Sequence, residues 1–164
     1  MKRLAWAGFL VASALISSKA SARIFTFHGT VCQPINGSIF GAEYTQFGVH
    51  NVSGAPITVE CPFPLTGPTG STPTITGAST FAYDRSTTAD VSCDLQKVAF
   101  DGSLVLSINA HTTGGGPGSG FQGMSYAIPA GTLESGYWRI RCTIPAVQSG
   151  AFSHVTATFV TDSE

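Results

Sequence analysis

The sequence is poor in charge. Lysine and arginine together number 8 and aspartate and glutamate 9 in 164 residues, which leaves no basic patch or stripe of the kind that holds nucleic acid and no polybasic segment for anionic lipid. Long apolar runs are missing too. The longest, Leu4 to Ile16, is 13 residues, whereas a bilayer-spanning helix needs about 20, so no membrane anchor is expected. No two cysteines have the close C-x₂₋₄-C spacing of structural zinc sites. The four histidines, His28, His50, His111 and His154, stand singly along the chain, so no metal is expected either. Beyond the N-terminal stretch no window has helical periodicity, and no G-x-S-x-G elbow announces a serine nucleophile. Gly118-Ser119-Gly120-Phe121-Gln122-Gly123 matches G-x-G-x-x-G formally. It lacks the following helix that would hold a dinucleotide, so no cofactor is expected.

What is present begins with Lys2 and Arg3, the apolar run, and Ala20-Ser21-Ala22. This is the order of a secretory signal peptide ending in a small-x-small cleavage site. Cleavage is placed before Arg23, dividing the chain into a signal peptide, 1–22, and a single domain, 23–164. The 142 residues left (164 − 22) suffice for one core. Three of the 8 basic residues leave with the signal, so the remaining balance is five basic against nine acidic, or −4. All four cysteines, Cys32, Cys61, Cys93 and Cys142, lie in the domain, and an even count in an exported chain points to disulfides and to a secreted or periplasmic location. Of three connectivities, Cys32–Cys61 with Cys93–Cys142 is favoured, since each pair joins neighbouring segments.

The fold class read from the pattern is all-β: an antiparallel β-sandwich of about nine short strands, braced by disulfides. In Pro56–Cys61, Ile57, Val59 and Cys61 alternate with Thr58 and Glu60. In Tyr137–Ile144, Trp138, Ile140, Cys142 and Ile144 alternate with Tyr137, Arg139, Arg141 and Thr143, and Val91, Cys93 and Leu95 repeat that parity. The other strands expected are Arg23–His28, Tyr44–Asn51, Thr80–Asp84, Leu104–Ala110, Phe121–Ile128 and Ser153–Val160. Asn36-Gly37, Asp101-Gly102 and Ser135-Gly136 mark turns. Two stretches read as loops: proline-rich Pro62–Thr76 and glycine-rich Thr112–Gly120. Half-buried strands at this density indicate two sheets packed face to face.

The candidate ligand or partner face is the row Tyr137, Arg139 and Arg141 on the outward side of its strand. Arginine forks take carboxylates and tyrosine stacks on a sugar or peptide; in the plainer reading these arginines pair with Glu60 or Asp84. Asp84, Asp90, Asp94 and Asp101 crowd together without the close D-x-D-x-D alternation of a calcium loop and read as solvated turn residues. The function expected is that of an exported, non-catalytic binding or structural component at a surface, with a protein or glycan as partner. The alternatives are a small secreted hydrolase using Asp84, Asp90 or Asp94 with a histidine, and a carbohydrate-binding module, which would present exposed aromatics in a row. Asn36-Gly37-Ser38 and Asn51-Val52-Ser53 fit the N-glycosylation triplet.

The elements Tyr44-x-x-Phe47-Gly48-x-x-Asn51, Cys61-Pro62, Tyr83-Asp84-Arg85-Ser86, Cys93 and Tyr137-x-x-x-Arg141-Cys142-x-Ile144-Pro145 together resemble those of small secreted bacterial proteins of unknown function. The resemblance spans about residues 44–145 and carries no activity with it. It implies a periplasmic or extracellular compartment, glycosylation triplets without use, and a recurring role for Tyr83 and Arg85.

Overall fold

The computed structural model describes residues 22–36, 38–63, 74–113, 120–129 and 136–163. The expected signal peptide lies outside them except for Ala22, which opens the first strand. Eleven strands form two antiparallel sheets. In chain order they are β1 (Ala22–His28), β2 (Gln33–Ile35), β3 (Ala42–Thr45), β4 (Gly48–Asn51), β5 (Ile57–Pro62), β6 (Thr74–Tyr83), β7 (Ser92–Val98), β8 (Leu104–His111), β9 (Phe121–Tyr126), β10 (Tyr137–Ile144) and β11 (His154–Ser163). The first sheet runs β3-β4-β11-β6-β9, with β1 also paired to β11; the second runs β2-β5-β10-β7-β8.

The all-β sandwich read from the sequence therefore holds, with two more strands than expected. Tyr44–Asn51 is a hairpin instead of one strand. Thr45 pairs with Gly48, the Thr45 hydroxyl accepts the Phe47 N–H at 3.1 Å, and Gly48 at φ 119° takes the backbone where side-chain-bearing residues strain. The second addition, β2, has three residues and contains Pro34; it sits at an edge, where proline is tolerated. The proline-rich loop is shorter at both ends than expected, because Pro62 closes β5 and β6 opens at Thr74; residues 64–73 lie outside the described set. In the glycine-rich stretch Thr112 is buried, not part of an open loop, and 114–119 lie outside the description. The glycine pattern at 118–123 leads into a strand, β9.

The second sheet builds its half of the core by register. Cys142 stands opposite Val59 on β5 and Cys93 on β7, and Ile140 stands opposite Cys61 and Leu95. All six of these side chains are fully buried. Both favoured disulfides are present, Cys32–Cys61 and Cys93–Cys142. Each ties neighbouring segments of this one sheet, so the two sheets are held together by packing and not by a covalent clamp. At the end of this inward face Lys97 lays its ammonium over the Trp138 ring, 5.7 Å from the centroid, which gives a buried cation an aromatic face to rest on.

In the first sheet β11 is the central strand. One edge pairs with β6 throughout, while the other pairs with β1 over Ala157–Ser163 and with β4 at His154 and Val155. The change of partner falls at a register shift between Val155 and Ala157. Gly29 and Gly48 both crowd the Val155 carbonyl there: a Cβ on either would sit 2.1 or 2.0 Å from that oxygen. Neither position has room for a side chain. Asn51 links the sheets, its amide nitrogen donating to the carbonyls of Ala55 at 2.8 Å and Pro145 at 2.7 Å. Asn51 is fully buried, so its triplet cannot serve as a glycan acceptor in the folded chain.

Candidate binding face

A strand with one buried face normally turns its large apolar residues inward. β6 does the reverse over most of its length. Ala78, Thr80, Ala82 and then Asp84 point into the sandwich and are buried, while Ser79, Phe81, Tyr83 and then Arg85 lie on the partly exposed outer side. The interior beside these residues is filled by Met124 and Tyr126 of the neighbouring β9 and by the core of the second sheet, which suits small residues on β6.

The pairing of β6 places further rings beside this row. Phe121 stacks on Phe81 at 5.0 Å between centroids, and Phe159 meets Phe81 edge-on at 4.9 Å. One step along the strands, Tyr83, His154 and His50 form a continuous stack across β6, β11 and β4, with centroid distances of 5.3 and 4.5 Å. Phe47 borders His154 at 6.5 Å. Phe121 and Phe47 are each 55% exposed, so both ends of the band face solvent. Beside Phe159 lies a hollow of about 250 Å³, lined by Gly77, Ser79, Ser125, Tyr126 and Thr161 among others. The Ser79 and Ser125 hydroxyls are 3.1 Å apart. Flat rings beside clustered hydroxyls can stack on one face of a ligand and hydrogen-bond its edge.

The pKa values of both histidines in this stack are lowered. Burial, reinforced by the charge of His50 and of Arg85, lowers the His154 pKa to about 4. Burial also lowers that of His50, against an opposing pull from Glu43. These two residues, widely separated in sequence, are brought into contact by the His154–His50 register of β11 and β4. No cluster of three or more metal-ligating side chains occurs among the described residues.

Beyond Tyr83 the chain enters the loop 84–91, and Asp84 organises it. Its carboxylate is fully buried and accepts the N–H groups of Ser86 and Val91, each at 3.0 Å, and the hydroxyls of Ser153 at 2.9 Å and Thr112. The expectation of a solvated turn residue is thus corrected: four donors from three segments replace the water this charge gives up. Arg85 then lines a cleft of about 500 Å³ with Thr87, Gln148, Ser149 and Ala151. Gln148 fixes the loop by accepting the N–H of Thr87 at 2.8 Å and donating to the Thr88 hydroxyl.

The outward row on β10 has a different character. Arg139 and Arg141 both donate to one oxygen of Glu60, at 2.9 and 3.2 Å, and Arg139 also donates to Gln96 at 2.9 Å. Tyr137 is exposed at the strand end. Of the two acids considered as partners, Glu60 is the one used. The carboxylates weighed for hydrolysis are dispersed: Asp84 is enclosed, Asp90 pairs with His111 at 3.3 Å, and Asp94 accepts from Asn109 on the outside of the second sheet.

The chain matches no family model and no curated protein. A solved structure of the Gx strain of infectious bursal disease virus is similar to it at 11% identity and TM-score 0.43, over 87% of this chain and 32% of the viral one. This chain therefore spans about a third of the viral chain's length, and at that score the likeness carries no functional information.

Proposed function

We propose that this protein is an exported, non-catalytic β-sandwich that binds glycans on the outer face of its first sheet. The observation that carries the reading is the band Phe121, Phe81, Phe159, Tyr83, His154 and His50 on a face where a sandwich ordinarily places polar residues. Pyranose rings have an apolar face that stacks on aromatics and hydroxyl edges that find partners such as Ser79, Ser125 and Thr161. Two disulfides suit an oxidising compartment, and the sequence supplies the expected leader.

The test is calorimetry and co-sedimentation with a panel of soluble and insoluble polysaccharides, neutral and acidic. Binding by the wild type and a loss of at least about tenfold in Phe81→Ser and Phe121→Ser, the equivalent of one good aromatic contact, is the expected result. Absence of binding to every member of the panel, or equal binding by these variants, overturns the reading.

A further inference from the structure

Glu60 forms ion pairs with both Arg139 and Arg141, but among the described residues Arg85 has no such partner. Among the described residues no carboxylate lies within ion-pair distance of its guanidinium, and its Nε, enclosed by protein, has no hydrogen-bond acceptor. The guanidinium stands over the Tyr83 ring, 5.7 Å from the centroid. It thereby joins the aromatic band to the cleft formed with Thr87, Gln148, Ser149 and Ala151. That cleft is fixed before any ligand arrives. Asp84 pins the loop on one side, and the Arg85 N–H donates to the Ser153 hydroxyl at 2.9 Å; Gln148 ties the loop to the turn across the cleft. The other acids of the neighbourhood are engaged elsewhere, Asp84 inside and Asp90 with His111.

Along the outer side of β6 the order is hydroxyl-lined hollow, phenylalanine platform, tyrosine–histidine stack and unpaired cation. From Gly77 to Tyr83 this track runs about 20 Å along the strand. We infer that the face takes an acidic glycan: sugar rings lie along the aromatic band, and a carboxylate of a uronic acid residue docks in the cleft on Arg85. The planar, rigid fork of arginine matches a planar carboxylate with two parallel hydrogen bonds, and Thr87 and Ser149 provide neutral polar lining without a competing negative charge. The inference rests on the glycan reading above and narrows it to one chemical class.

Titration calorimetry with oligogalacturonate, oligomannuronate and oligoglucuronate, with their methyl esters, and with cello-, xylo- and chito-oligosaccharides tests it. A methyl ester keeps the shape of the sugar and removes its charge. The expected result is binding of at least one free acid, weakened about ten- to a hundredfold by esterification, the range of a hydrogen bond to a charged group. In Arg85→Gln the acid and ester bind alike, Arg85→Lys retains part of the preference, and Arg139→Gln leaves it unchanged. Equal binding of acid and ester by the wild type, or binding of neutral chains only, overturns the acidic-glycan inference while the glycan reading stands. A preference for acid that persists in Arg85→Gln overturns the assignment to Arg85. Binding of no oligosaccharide overturns both.

Discussion

The two sheets of the sandwich use their outer faces in opposite ways. The second sheet contains or adjoins all four cysteines, turns most of its Ile, Leu and Val inward, and carries on its outside a polar network around Glu60. The first sheet has no cysteine, keeps small residues inside β6, and displays its rings outward. Outward rings forgo burial worth about 25 cal/mol per Å², and the first sheet has no covalent staple to offset this. On the proposed glycan reading, the second sheet is the scaffold and the first presents the binding face.

The largest effects that test this division are at the disulfides. Replacing Cys93 and Cys142 by alanine removes a closure spanning 49 residues and lowers stability by about 4 kcal/mol; the Cys32–Cys61 closure, spanning 29, is worth about 3.5. Urea midpoints of the two double variants give the order, and a larger loss at Cys32–Cys61 would show that chain entropy is not what these bonds contribute. Next comes Asp84, whose partners Thr112 and Ser153 follow β8 of one sheet and precede β11 of the other. Asp84→Ala strands its donors and is expected to cost about 3 kcal/mol in thermal unfolding. A wild-type melting point in that variant would mean the two sheets are tied elsewhere.

Acid should act on the first sheet. The His154 pKa is lowered to about 4 from the ordinary 6.5, so the unfolded chain binds the proton first. Stability is complete above pH 6.5, declines as the pH falls toward 4, and changes no further from this group below that. With allowance for solvent screening the loss is about 1–2 kcal/mol. Denaturant midpoints at pH 7 and pH 4 for the wild type and His154→Gln isolate it, since the carboxylates common to both cancel; identical slopes would remove His154 from the account. The smallest stability change is expected at Phe81→Ser, about 1 kcal/mol or less, in a variant that nonetheless fails to bind. A drop of several kcal/mol there would make the aromatic band a second core instead of a display.

Much of the second sheet was legible in the sequence. In β10 the apolar and polar residues alternate without interruption, and the parity of Cys61, Cys93 and Cys142 placed them inward, where they are. The first sheet was harder to read for specific reasons. The β3–β4 turn at Gln46 and Phe47 carries no Asn-Gly signal, and Gly48 follows the turn instead of occupying it. Asp84 looked like a solvated acid because its compensation comes from Thr112 and Ser153, far away in the chain. Tyr83 and Arg85 stood out only through a resemblance. The alternation of Ser79, Phe81, Tyr83 and Arg85 was visible, but a rule that sends aromatics inward assigns that row to the wrong side. Nothing local indicates that His50 and His154 touch.

The position of β11 bears on how the molecule is made. A ribosome delivers β1, β3, β4, β6 and β9 well before residues 154–163, yet β1, β4 and β6 each have β11 as a neighbour. Until β11 emerges, the first sheet exists only as the β3–β4 hairpin, the β6–β9 pair and an unpartnered β1. Such long-range closure makes folding slow and concerted, so the aromatic band on β6 and β11 comes together in a single late step, once residues 154–163 have been made.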